Sequence, residues 1–181
     1  SDSNRLTFSD PVMVEADGEP VTAFAYIYQR LIDLDNDGLL DLVVGQSKPG
    51  LKWYRNTGTK ERPEFTDAGY ICDQDDNPIK TIFAIRPFFG DLNGDGRPEM
   101  MTSTYFGCMS NLLRYDLQDS KSNKLTKGWQ LQGKLHMAGS GNTPVTGQGI
   151  STVDPIDWDN DGDMDIVLGS EPAAPTVLIN R

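Results

Sequence analysis

The 181 residues carry 27 acids against 16 bases, a net charge of −11, which repels phosphate backbones and disfavours nucleic acid as a partner. Hydrophobic residues at 37% make a globular composition long enough for one domain with a buried core. No run approaches the ~18 apolar residues of a membrane-spanning helix.

The predicted elements are strands. An apolar run at 6–14 comes first, followed by runs at 25–32, 39–45, 51–54 and 65–71. A second group lies at 82–89, 100–107, 111–117 and 129–137, and a third at 150–156, 164–169 and 176–179. They are short, β-branched or aromatic, and bounded by Gly, Pro, Asn and Asp. No window sustains apolar residues at i, i+3, i+4 and i+7, so few helices are expected. Leu42-Val43-Val44 is apolar without alternation, which suits a strand covered on both faces. Segments 120–127 and 139–149 are polar or glycine-rich and read as loops.

The acids concentrate in three nine-residue windows, 33–41, 91–99 and 157–165, which hold 12 of the 27. Outside them 15 acids face 15 bases, so the whole net charge sits in three loops and calls for a counter-ion. The windows begin 58 and then 66 residues apart, each between two apolar runs. Four strands per unit at a period near 60 residues reads as the blade of a β-propeller. The repeats span approximately 24–80, 81–138 and 149–181 of a single all-β domain, with 6–14 as an orphan outer strand. That makes twelve strands, three blades' worth, where a ring normally takes at least ~4 blades. The expected partners are therefore the remaining blades of a longer propeller, or a second copy.

Oxygen donors at loop positions 1, 3, 5, 7 and 9 suit calcium, which takes six to eight oxygens in a flexible cage. In the first loop these are Asp33, Asp35, Asp37, the Leu39 carbonyl and Asp41. The second supplies Asp91, Asn93, Asp95, the Arg97 carbonyl and Glu99; the third supplies Asp157, Asp159, Asp161, the Asp163 carbonyl and Asp165. Glycine at position 6 gives the sharp turn its backbone freedom. An EF-hand is excluded, because its Glu at position 12 is replaced by Val44, Thr102 and Leu168 and its flanks should be helices. Up to three calcium ions are expected, and their removal or acidification should loosen the fold.

These windows resemble the FG-GAP calcium-binding repeats of integrin α-chain propellers and the related bacterial VCBS repeats. Phe89-Gly90-Asp91 reproduces the Phe-Gly lead-in, and residues 33–45 with Trp53-Tyr54-Arg55-Asn56-Thr57-Gly58 and Pro63-Glu64-Phe65 approach a whole bacterial-type repeat. The second window departs most, with Asn93 in place of an acid. The resemblance implies a β-propeller in a secreted or cell-surface setting, binding or scaffolding a protein or carbohydrate ligand. It also extends to polysaccharide lyases on calcium propellers; on that second reading His136 is the candidate base for β-elimination, with Tyr105 and Arg86 as companions.

His136 is the one histidine of the chain, and a lone histidine at a strand end is more often a surface residue than a catalyst. Ser151 lacks a nucleophile-elbow context and neither cysteine has a histidine nearby in sequence. Trp53, Trp129 and Trp158 could stack on sugars, but core packing between blades is the favoured reading for all three. For Cys72 and Cys108, a disulfide and two buried thiols both remain open.

Overall fold

The computed structural model describes residues 8–25, 27–46, 50–79, 85–106, 109–117, 128–136, 145–148, 152–169 and 174–181. Fourteen strands and no helix are found among them. A small hairpin, β1 (Glu15–Ala16) and β2 (Glu19–Pro20), precedes the meander β3 (Tyr28–Ile32), β4 (Asp41–Gly45), β5 (Leu51–Asn56) and β6 (Phe65–Tyr70). The second meander is β7 (Ile85–Gly90), β8 (Glu99–Phe106), β9 (Met109–Leu117) and β10 (Trp129–Lys134), joined by β11 (Thr146–Gln148). The third is β12 (Thr152–Ile156), β13 (Asp165–Gly169) and β14 (Thr176–Leu178).

The sheet orders are β2-β1-β6-β5-β4-β3, β10-β9-β8-β7 with β11 on β9, and β12-β13-β14. Neighbours within each meander are antiparallel. The strands that lead into the acidic loops, β3, β7 and β12, lie side by side in that order. Arg30 of β3 spans all three: its guanidinium lies 4.9 Å from the centre of the Phe88 ring on β7 and 3.8 Å from Asp154 on β12. The fold is all-β and its sheets are arranged like propeller blades.

Apolar side chains fill the spaces between the sheets. Leu34, Val43, Leu51, Trp53 and Ile71 of the first unit pack against Phe89, Met100, Tyr115 and Trp129 of the second. Phe88 and Met101 pack against Val153, Ile166 and Leu168 of the third. β4 is buried along its whole length because a second cluster covers its other face: Leu42, Val44 and Tyr54 meet Ala16, Val21 and Ala23. That explains why Leu42-Val43-Val44 does not alternate.

Three expectations are corrected. Described residues 8–14 of the segment 6–14 form no strand, and Phe8, Val12 and Met13 are exposed. Pro11 has no amide hydrogen to donate to a ladder, and the chain pairs later, through the β1 hairpin at Ala16 and Phe65. The segment 139–149 is not wholly loop, since β11 takes up the bonding positions of Ser110 and Asn111 on β9. Trp53 and Trp129 are core as expected, whereas Trp158 is 56% exposed. The same loop position holds Leu34, buried against the second sheet, and Leu92, packed toward the third. Among the described residues no further sheet covers Trp158. The segment 120–127 and Cys108 lie outside the described residues, while Cys72 is buried with its thiol 3.4 Å from the Tyr70 carbonyl.

Candidate metal centres

Each acidic loop connects the first and second strands of its sheet, and one backbone scheme builds all three. The position-1 carboxylate accepts the amides of the turn. Asp33 takes Asp37 N–H at 3.0 Å and Gly38 N–H at 2.9 Å; Asp91 takes Asp95 at 3.1 Å and Gly96 at 2.8 Å; Asp157 takes Gly162 at 3.2 Å. The position-5 carboxylate accepts the amide of position 7: Leu39 on Asp37, Arg97 on Asp95 and Asp163 on Asp161, at 2.9, 2.9 and 3.0 Å. The turn itself needs two left-handed residues. Position 6 is Gly38, Gly96 and Gly162, and position 4 is Asn36, Gly94 and Asn160, with φ of 58°, 73° and 60°. Asn and Gly are the residues that adopt this region at little cost.

Position 9 plays a framework part that spacing alone did not reveal. Asp41, Glu99 and Asp165 are all buried, and each accepts the amide of position 2: Leu34 at 3.3 Å, Leu92 at 2.7 Å and Trp158 at 2.8 Å. The second oxygen of Asp41 accepts Asn56 N–H at 2.8 Å, and that of Asp165 accepts Asn180 N–H at 2.7 Å. Both partners stand 15 residues on, at the end of the sheet's third strand or just beyond it. In the second loop that place belongs to Arg114, which is paired with Asp116 through two bonds of 2.7 and 2.9 Å. Burial pushes the carboxyls of Asp41 and Glu99 above their ordinary values, against the pull of the amides of Asn56 and Leu92.

Carboxylate oxygens converge in every loop. Asp33, Asp35 and Asp37 each bring one within 4.8 Å of the others; so do Asp91, Asp95 and Glu99, and Asp157, Asp159 and Asp165. Asp35 Oδ1 and Asp157 Oδ1 are buried without a hydrogen-bond partner, an expensive state for an anionic oxygen unless a cation serves it. Partial desolvation and the neighbouring charges of Asp161 and Asp165 raise the Asp159 carboxyl. An all-oxygen set with orphaned carboxylate atoms fits a hard divalent cation.

The three loops differ in how their charge is compensated. In the first, Arg55 donates Nε to Asp35 at 2.5 Å and Nη2 to Asp37 at 3.1 Å. In the second, the Asn93 side-chain amide donates to Glu99 at 2.8 Å and to Asp95 at 3.2 Å. In the third, no basic side chain among the described residues pairs with Asp157, Asp159, Asp161, Asp163 or Asp165.

Of the catalytic candidates, Arg86 and His136 belong to opposite edges of the second sheet. Arg86 of β7 donates to the Tyr28 hydroxyl at 2.6 Å and stacks on its ring at 4.2 Å. Tyr105 pairs through its backbone with Ser110; its side chain lies outside the described residues. His136 is exposed just past β10, the far strand of the second sheet. Three strand spacings, roughly 14 Å, separate that strand from β7.

Arg55, Asn56, Asn180 and the position-4 residues are what sequence reasoning missed. A repeated step of 15 residues, Asp41 to Asn56 and Asp165 to Asn180, was the available signal. No curated protein and no solved structure matches the chain. Residues 33–102, from the first loop into β8, match the family model described as FG-GAP-like repeat. The chain therefore carries an FG-GAP-like repeat, and the resemblance drawn from its acidic windows holds over residues 33–102.

Proposed function

We propose that the chain is a calcium-stabilised module of an extracellular β-propeller, serving to bind or scaffold a protein or carbohydrate ligand. The observation that carries the reading is the repetition of one carboxylate cage in three loops, two of which hold a buried, partnerless carboxylate oxygen. Asp33, Asp35 and Asp37 would hold one ion, Asp91, Asp95 and Glu99 a second, and Asp157, Asp159 and Asp165 a third. The ion supplies positive charge that lets the acids of each loop stay close, and so fixes two consecutive strands of one sheet. The open, mostly exposed loops suit the weak sites of extracellular modules, whose dissociation constants lie at about 10⁻⁴–10⁻³ M, and such concentrations of calcium favour a secreted or cell-surface setting.

The exposed Trp158 calls for more β-sheet beside the third sheet than the described residues supply. Trp158 takes the position that Leu34 and Leu92 use to contact the following sheet. A further blade, from a longer chain or from a second copy, is the partner that fits it.

Equilibrium dialysis at millimolar calcium, with thermal melts in calcium and in chelator, tests the reading. Up to three ions per chain and a higher midpoint in calcium are expected. At free calcium ~100 times the dissociation constant, each site would add ~2.7 kcal/mol. No uptake, or an unchanged midpoint, overturns it.

A further inference from the structure

Among the described residues, Arg55 is the basic side chain that bonds directly to the converging acids of a loop, where a metal would act. It extends from β5 to the first loop, and its guanidinium is held by Asp35 and Asp37, two of the three acids whose oxygens converge there. The positions equivalent to Arg55 by loop spacing are Leu113 and Ile179, neither of which carries charge. The Asp35 side chain is only 13% exposed, and the Arg55 contact uses Oδ2, so the buried Oδ1 is still without a partner. A guanidinium satisfies one oxygen of each acid through directed N–H bonds. A divalent ion drawn to the same acids, the partnerless Asp35 Oδ1 included, would have to bind beside that positive charge, so the two cations compete.

Resting on the calcium reading above, we propose that Arg55 is a tethered counter-cation of the first loop, with which a metal must compete for the charge of Asp35 and Asp37. The first loop is then the weaker site, stable without metal, and the third loop, with no such substitute, is the one that depends on the ion and fills first. Arg55 acts as a positioning residue that grades affinity along a series of otherwise similar loops. Its side chain is 44% exposed, so it has room to swing away into water.

Calcium titration calorimetry on the wild-type chain, Arg55→Gln and Asp159→Asn separates the possibilities. Glutamine keeps a polar side chain and removes the charge. Release of two partly buried ion pairs is expected to tighten the weakest class of site by about tenfold, leaving the tightest class unchanged. Asp159→Asn should abolish the tightest class and keep the one that responds to Arg55. Melts in chelator supply a metal-free readout of opposite sign: Arg55→Gln should melt below wild type there, yet gain more on adding calcium. Calcium uptake with the same affinities in Arg55→Gln overturns the role of Arg55 and leaves the calcium reading standing. No uptake by either protein overturns both.

Discussion

The side-chain amide of Asn180 donates to the carbonyl of Leu92, 2.8 Å away and 88 residues earlier in the chain. Because the Asn180 backbone amide also bonds Asp165, one residue couples the third loop to the second. Asn56 is its counterpart in the first sheet but turns inward. Its side chain bonds the Leu40 carbonyl and accepts the amides of Gly58 and Glu64, at 3.2, 3.0 and 3.2 Å. Asn180→Ala should cost ~1 kcal/mol and Asn56→Ala about twice that, since three bonds are lost at a buried site. Urea denaturation checks the order, and a larger loss for Asn180 would contradict it.

Asp41 serves the backbone framework and Asp159 the ligand cluster, and substitutions should separate the two parts. Asp41 offers both oxygens to backbone amides, so Asp41→Asn turns an amide group toward a donor and should cost ~1–3 kcal/mol in calcium and in chelator alike. Asp159 makes no comparable bond to a distant strand. Asp159→Asn should lower the melt in calcium while leaving it unchanged or raised in chelator, where one repelling charge has gone. Equal behaviour of the two variants in chelator would refute the division.

The response to pH should reverse with metal. Burial raises Asp41 and Glu99 above their ordinary values, so the folded state holds these protons more tightly than the unfolded chain. Stability from this source is present below the ordinary carboxylate range and is lost as pH rises through the raised folded values. In chelator, acidification through the raised folded values should raise the midpoint. In calcium it should lower it, because protons compete for the ligand oxygens. Melts across this range in the two buffers should give slopes of opposite sign; parallel slopes would rule the account out.

Backbone conformation predicts which glycines tolerate change. A Cβ on Gly58 would meet the Arg62 carbonyl oxygen at 2.3 Å and the Glu64 nitrogen at 2.6 Å, both main-chain atoms. Gly58→Ala should therefore cost more than ~2 kcal/mol. Gly94 has open space around it and stands where the other loops use Asn36 and Asn160 at similar φ. Gly94→Asn should change stability by no more than ~0.5 kcal/mol. Denaturation midpoints of the pair decide it, with comparable losses counting against the turn geometry.

Much of this arrangement was legible because the repeating unit is local. Strands β4 to β6, β8 to β10 and β12 to β14 fall within the apolar runs or differ by a few residues at their ends, since period and punctuation are properties of a short window. The roles of Asn56 and Asn180 were not, because a bond from one strand to the acid that starts its neighbour depends on register. The two-residue strands β1 and β2 and the three-residue β11 were missed for a simpler reason. Runs so short have no periodicity, and they take their conformation from the sheets they join. Trp158 misled because its type suits a core, while burial depends on what lies opposite.

Among the described residues the outer strand of the third sheet is three residues long, Thr176–Leu178, bonded to β13 and preceded by Pro175. A row of unpaired amides is a template for fibre growth, and proteins blunt it with brevity and proline. Here both devices stand together, so stacking of copies through main-chain hydrogen bonds has little to build on. At this edge, contacts with another molecule would have to come from side chains more than from main-chain pairing.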